Sequence, residues 1–372
     1  MRCLLSGGGT GGHVYPALAV VEEWKNASAS GDLPELEAVL YVGTTGGLEA
    51  RIVTRAGIDF RPVQAGALRG LSPWRALVNS WALLKGAVQA WRILRAFQPD
   101  AILATGGYAS APVVMAAWLG GYPVLIYLPD ILPGLAVRFL SRLAKRVAVS
   151  FDASLAYFPP GKAVVTGYPV RPALYQGNRT EARRRLGLAL DEKVVLVLGG
   201  SRGAHSINQA VAEILEHLLS MAQLIHVAGE RDAAWLQERQ NALLDDLSQR
   251  YHVYAYLHEE MTEALLAADL AVARAGAATM GEFAAVGLPA ILVPYPYAGQ
   301  HQEANADFMV SRGAALKVAD HTLAEGALAP LVEELLADEQ RLRVMADNAR
   351  KLAKPDAARA IAQQLALLAG GV

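Results

Sequence analysis

The chain has 372 residues, 53% of them hydrophobic and 19% charged, which is enough apolar side chain for two ordinary cores and excludes a disordered protein. Its single cysteine, Cys3, excludes a disulfide framework and a cysteine zinc site and fits a cytoplasmic setting, and with glycines following Leu5 no secretion signal is expected. The net charge of −1 hides an asymmetry: residues 1–165 hold 15 Lys+Arg against 10 Asp+Glu, net +5, and the remainder holds 19 against 25, net −6.

The first stretch, RCLLSGGGTGGHVYPALA, reads as a strand at Arg2–Leu5, a glycine loop and a helix start, with a helix at Ala17–Trp24. Gly7, Gly8, Gly9, Gly11 and Gly12 let the backbone approach a ligand closely, Thr10 adds a hydroxyl, and Pro16 suits a first helical turn. His13, at the positive end of that helix, is favoured as neutral imidazole and so as a proton acceptor. Gly7-x-Gly9-x-x-Gly12 also satisfies the dinucleotide fingerprint. The next strand, Ala38–Val42, however, ends in Gly43-Thr44 where a ribose-binding acid should stand, so NAD and FAD are set aside.

A helix at Glu49–Ala56 and a long helix at Pro73–Phe97 follow, then a strand at Ala101–Thr105 running into Gly106-Gly107-Tyr108. Thr105–Pro129 carries no charge and is long enough to cross a membrane, but its glycines and prolines break it. It reads as a short buried helix and the parallel strand Pro123–Leu128. Thr166–Pro172 is hinge-like, and at Lys193 the opening pattern recurs: KVVLVLGGSRGAHSINQAVAEIL is again strand, glycine loop, helix. Further strands are expected at Leu224–Ala228, Val253–Leu257, Leu270–Arg274 and Ala290–Pro294, and three helical stretches end the chain, the last at Pro355–Ala369. Such alternation implies α/β domains with parallel sheets and ligands at the carboxyl ends of the strands.

Four segments in this order, GGGTGGHVYPALA, GTTGGLEA, TGGYASAP and GGSRGA, resemble the MurG family, and RAGAATMGEFAAVGLPAILVPYP followed by HQEANA extends the resemblance over nearly the whole chain. The resemblance implies an N-acetylglucosaminyltransferase of peptidoglycan synthesis and cell wall biogenesis. Its fold would be GT-B: two facing Rossmann-like doubly wound domains with a cleft between them. An N-terminal domain over 1–165, completed by the C-terminal helix 355–369, would bind acceptor and membrane, and 166–354 would bind the nucleotide sugar. The implied reaction is inverting transfer of N-acetylglucosamine from UDP-N-acetylglucosamine to the muramyl sugar of the undecaprenyl-diphosphate-linked precursor. Glycine loops at helix N-termini can stabilise the departing diphosphate, and no Asp-x-Asp pair stands at a strand end, so neither a metal nor a cofactor is expected.

By the same resemblance, the donor contacts Thr10, Gly11, Gly12, Arg171, Ser201, Arg202, Leu257, Thr279, Glu282, His301 and Gln302, with Asn305 in the same polar run and Met261 beside the uracil. His301 departs from the family's usual glutamine. Gly9, Thr10, Gly12, His13 and Tyr108 match acceptor-site positions, with His13 as general base or diphosphate ligand. Glu282 has an alternative reading, since Thr279-x-x-Glu282 is also a capping box if Thr279 begins the helix. Glu49 reads as a helix-start carboxylate. Tyr127-Leu128-Pro129-Asp130 stands where the family has His-Glu-Gln-Asn, and as the end of a strand its side chains are expected to project toward the ligand. Asp130 is therefore a candidate acceptor contact or partner of His13, with an N-cap ahead of Pro133 as its structural alternative.

Between Asp59 and Asp100 there is no acid, while Arg61, Arg69, Arg75, Lys85, Arg92 and Arg95 alternate with Trp74, Trp81, Leu84, Trp91 and Leu94. Together with Arg138, Arg142, Lys145 and Arg146 they suit an anionic membrane surface, at the cytoplasmic face, rather than nucleic acid; an amphipathic helix packed on the sheet is the alternative. Rival functions are a GT-B transferase acting on diacylglycerol or another membrane lipid, a UDP-sugar epimerase, and a non-catalytic nucleotide-binding regulator.

Overall fold

A computed structural model describes residues 1–8, 11–44, 48–65, 73–107, 109–200, 203–258, 260–297 and 301–370, with the backbone alone for 11, 48 and 73–81. The chain divides into two compact units, Met1–Pro169 with the segment from Asp356 onward, and Val170–Pro355.

The first unit runs β1 (Arg2–Gly7), α1 (Gly11–Ala29), β2 (Ala38–Thr44), α2 (Leu48–Arg55), β3 (Asp59–Val63), α3 (Pro73–Phe97), β4 (Ala101–Gly106), α4 (Ser110–Leu119), β5 (Val124–Leu128), α5 (Leu135–Leu143), β6 (Arg146–Val149) and β7 (Ala163–Val165). All neighbours pair in parallel, in the order β3-β2-β1-β4-β5-β6-β7. The central strands are near-continuous apolar runs because helices cover both faces. Leu4, Ile102, Val124, Ile126 and Val147 join one core with Leu94 and Val113 of the helices. The helix Ala357–Ala369 closes this unit against α1, β4 and β5, tied by Arg359 to Asp32 and by Arg146 to Gln364 at 2.6 Å.

The second unit contains β8 (Val194–Leu198), β9 (Gln223–Val227), β10 (Tyr251–Tyr254), β11 (Leu270–Ala273), β12 (Ala290–Leu292) and β13 (Ala315–Lys317). These too are parallel, in the order β10-β9-β8-β11-β12-β13. Val195, Val197, Leu224, Leu270, Val272 and Ile291 fill its core.

Each sheet reverses its winding beside its first strand, between β1 and β4 and between β8 and β11. In open parallel sheets, ligands bind outside the carboxyl ends of the strands at such a switch point. Both glycine loops follow those first strands, so topology alone puts them where a ligand is received. Two expected helix boundaries move. α1 begins at Gly11, earlier than the glycines and Pro16 suggested, and the helix containing Glu282 begins at Ala277.

Candidate active site

At the first switch point the turn after β4 lies against the loop after β1. Gly107 has φ +79°, and a Cβ there would come within 2.1 Å of the Gly8 carbonyl oxygen, so this approach requires glycine. His13, in the first turn of α1, is held across the gap: its Nδ1 is 2.7 Å from the Thr105 carbonyl oxygen, and the Thr105 hydroxyl donates to the His13 carbonyl at 2.6 Å. A carbonyl only accepts, so in the neutral ring Nδ1 carries the proton and Nε2 keeps its lone pair. His13 is half-buried, as a group that must meet both a framework and a ligand should be. Gly12 lies beside it in α1, while Gly11 is described by its backbone. Gly9, Thr10 and Tyr108 lie outside the described residues.

Glu49 stands in the first turn of α2, fully buried, and accepts from the Thr44 N–H at 3.0 Å. Its carboxylate lies against the glycine loop, for a Cβ on Gly8 would be 2.6 Å from Oε1. It therefore supports the loop from beneath.

The segment after β5 requires a correction. Tyr127 and Leu128 do not project outward: both are buried, Leu128 in the core and Tyr127 with its hydroxyl 2.8 Å from Ser150 Oγ. The reason is that β5 is flanked by β4 and β6 and covered on both faces, so its last two side chains are core. Asp130, half-buried in the loop beyond, is not the helix cap either, since α5 starts at Leu135 behind Gly134.

In the second unit, the loop after β8 is closed by Gly203, whose φ of +74° and close approach to the Ala228 carbonyl exclude a side chain. Ser201 and Arg202 lie outside the described residues. β11 leads into the helix Ala277–Val286, capped by Gly276 in extended conformation without a side-chain cap. Thr279 is the third residue of that helix and buried, so the capping-box reading of Thr279 and Glu282 does not hold. Glu282 is half-buried; burial pushes its carboxyl up to about 7, and the Arg171 guanidinium pulls the other way. A buried carboxylate without full compensation is a group poised for a ligand. Arg171 itself is exposed.

Of the remaining donor candidates, Leu257 is a buried side chain just beyond β10, and Met261 is half-buried. His301 and Gln302 open the helix His301–Ser311, and Gln302 Oε1 accepts from the Tyr295 N–H at 2.9 Å. Asn305 is fully buried and donates to the Ala275 carbonyl at 3.0 Å, which makes it part of the framework.

Sequence reasoning missed the group that joins these segments. Arg274, at the end of β11, is buried, forms an ion pair with Asp320, and donates to Ser206 Oγ at 2.9 Å and to the Val293 carbonyl at 3.2 Å. It thus links the helix after the glycine loop, the approach to Glu282 and the end of β12. An arginine closing an otherwise apolar strand was the available signal. Among the described residues no group of His, Cys, Asp and Glu is placed to hold a metal ion.

The chain matches the glycosyltransferase family 28 N-terminal domain over residues 3–149 and the family's C-terminal domain over residues 194–361. It is 42% identical to the UDP-N-acetylglucosamine–N-acetylmuramyl-(pentapeptide) pyrophosphoryl-undecaprenol N-acetylglucosamine transferase of a Roseiflexus species, over 97% of this chain and 94% of that one. It is 39% identical to the protein of the same name from Moorella thermoacetica, over 98% of both. Among solved structures it superposes on Acinetobacter baumannii MurG with TM-score 0.74 and 28% identity, covering 98% of this chain and 99% of that one. A UDP-GlcNAc 2-epimerase from Neisseria meningitidis shares the fold, with TM-score 0.70 over 98% of this chain and 99% of that one, at 14% identity.

Proposed function

The chain belongs to glycosyltransferase family 28, and from that membership we propose that it transfers N-acetylglucosamine from UDP-N-acetylglucosamine to the muramyl sugar of an undecaprenyl-diphosphate-linked peptidoglycan precursor. The observation that carries the chemistry is the fixed tautomer of His13. A hydroxyl oxygen of the acceptor attacks the anomeric carbon and its proton passes to His13 Nε2. The bond from that carbon to the diphosphate oxygen breaks, the electron pair leaves with UDP, and the configuration inverts.

The first unit binds acceptor through Gly9, Thr10, Gly12, His13, Tyr108 and Asp130. The second binds donor through Arg171, Ser201, Arg202, Leu257, Thr279, Glu282, His301 and Gln302. Glu282 accepts hydrogen bonds from the ribose hydroxyls, which restores to its buried carboxylate the partners that burial removes.

The acceptor's lipid tail calls for a membrane surface, and α3, α4 and α5 offer one. Leu84, Val88 and Trp91 of α3, Trp118 of α4, and Leu135 and Phe139 of α5 are exposed apolar side chains. Lys85, Arg92, Arg138 and Arg142 stand exposed between them, and Arg95 stacks its guanidinium 4.8 Å from the Trp91 ring. Cations interleaved with exposed aromatics and leucines suit peripheral binding to the anionic cytoplasmic leaflet. Leu94, counted with this face in the sequence, is a core residue instead. Arg69 lies outside the described residues, as do the side chains of Trp74, Arg75 and Trp81. Among the described residues no helix is long and apolar enough to cross a membrane.

The test is an assay with purified protein, radiolabelled UDP-N-acetylglucosamine and a lipid-linked muramyl-pentapeptide. Appearance of label in the lipid is expected. Release of N-acetylmannosamine with no labelled lipid would favour the epimerase reading.

A further inference from the structure

The helix that follows the second glycine loop carries a histidine the reaction scheme has not used. His205, the first residue of the helix His205–Glu213, has its Nδ1 at 2.9 and 3.0 Å from the two carboxylate oxygens of Asp232. The His205 side chain is 40% exposed and the Asp232 side chain 5%. A carboxylate this buried is costly unless cations and hydrogen-bond donors surround it.

Asp232 has both. Asn208 donates through Nδ2 to Asp232 Oδ2 at 2.8 Å and to the Ala228 carbonyl at 2.9 Å. Its Oδ1 must then accept from His226 Nε2 at 3.0 Å, which leaves His226 Nδ1 to accept from the Tyr251 hydroxyl at 2.9 Å. Every member of this chain has one consistent donor and acceptor role, and it ends on the Asp232 carboxylate. His226 is fully buried, and burial pushes its pKa down to about 3, so it is a neutral link and brings no positive charge to Asp232. Burial acts to raise the Asp232 carboxyl, but the hydrogen bonds it accepts, those of Asn208 and His205 among them, outweigh this and hold it below the usual range. The other cation nearby, Arg231, is 74% exposed with Nε 4.0 Å away. The donor that meets Asp232 from the exposed side is the His205 ring. With Nδ1 bound to the carboxylate, Nε2 is the nitrogen left for a ligand.

Resting on the donor reading above, we infer that His205, positioned by Asp232, is a further donor-binding residue: with the diphosphate of the UDP-sugar bound, its ring stands between two anions as the imidazolium, donating Nδ1–H to Asp232 and Nε2–H to the diphosphate. Its place is the carboxyl end of β8, directly after the glycine loop that receives the phosphates in that reading. The contact strengthens as the bond to the sugar breaks, because the departing diphosphate gains one negative charge; no proton need move. Asp232 touches no substrate. It fixes the ring and keeps its charge, as a carboxylate does for a histidine whose far nitrogen meets a ligand.

The experiment compares calorimetric binding of UDP and of uridine, which lacks phosphate, to the full chain and to His205→Gln, His205→Arg and Asp232→Asn. His205→Gln should weaken UDP binding about tenfold and leave uridine unchanged, and His205→Arg should recover most of the loss. Asp232→Asn should reproduce the His205→Gln pattern. Unchanged UDP affinity in His205→Gln, or equal losses for UDP and uridine, would overturn the inference while leaving the donor site intact. If the unaltered protein bound neither compound, the donor reading itself would fall, and this assignment with it.

Discussion

The His13 ring and the Thr105 carbonyl are 2.7 Å apart across 92 residues of sequence, one on the loop side of β1 and the other at the end of β4. This contact ties the helix that follows β1 to β4 at the switch point and leaves the other ring nitrogen with its lone pair. The glycines on either side bring the backbone close enough for it.

His13→Ala should therefore lower kcat by roughly a hundredfold or more, with little change in UDP affinity, since a general base acts on the acceptor hydroxyl. Steady-state kinetics beside calorimetry check this. A loss confined to the acceptor KM would make His13 a binding group.

Gly106→Ala should damage the same step without touching the ring chemically. Gly106 has φ +104°, and a Cβ there would lie 3.0 Å from His13 Cε1. Strain of about 1 kcal/mol or more and displacement of the imidazole should both follow. Reduced turnover with a lowered Tm is the expected pair of readings, and full activity would mean the ring tolerates movement.

Glu282 carries a pH signature. Its carboxyl is raised to about 7 from an ordinary value of 4.5, so the folded chain binds that proton more tightly than the unfolded chain. Stability from this group is fully present below about pH 4.5 and is lost as pH rises through 7. Glu282→Gln should then raise the Tm of the ligand-free protein at pH 8 relative to the parent. In the proposed donor reading ribose hydroxyls donate to the ionised form, so UDP should bind the parent more tightly as pH rises from 6 to 8, and Glu282→Gln should flatten that rise and bind more weakly at pH 8. Calorimetry at three pH values decides.

Much of the fold was legible because β1, β4 and β8 are apolar runs ending in glycine or beside it, and β5 is an apolar run between two prolines. Four strands were not. β3, DFRPV, buries only Val63 and contains a proline, so it reads as loop. β6 follows the basic helix α5 and merges with it in sequence, while β7 and β13 have three residues each. In the site, residue types that carry chemistry stood out singly, as His13 and Glu282 did. What could not be read was anything set by a distant partner: the tautomer of His13, the buried ends Tyr127 and Leu128, the Arg274 junction, and the pairing of His205 with Asp232, 27 residues on.

Vesicle binding should require anionic lipid and weaken with salt. Charge reversal at Lys85, Arg92 and Arg142 should release the protein into the supernatant on sedimentation, and Phe139→Ser should reduce binding even at low salt. Sedimentation equal to the parent's would assign this face to another role.

Asp130 ends the longest departure from the family's usual pattern, and in the proposed reading it contacts the acceptor or assists His13. With UDP-N-acetylglucosamine and the undecaprenyl-diphosphate muramyl-pentapeptide, the parent protein should form the labelled disaccharide lipid, Asp130→Ala should be crippled, and Asp130→Asn should keep part of the rate if its role is hydrogen bonding. The parent's turnover on that lipid is the most direct measurement. No transfer to it, with transfer to a diacylglycerol or another lipid under the same conditions, would contradict the assigned acceptor.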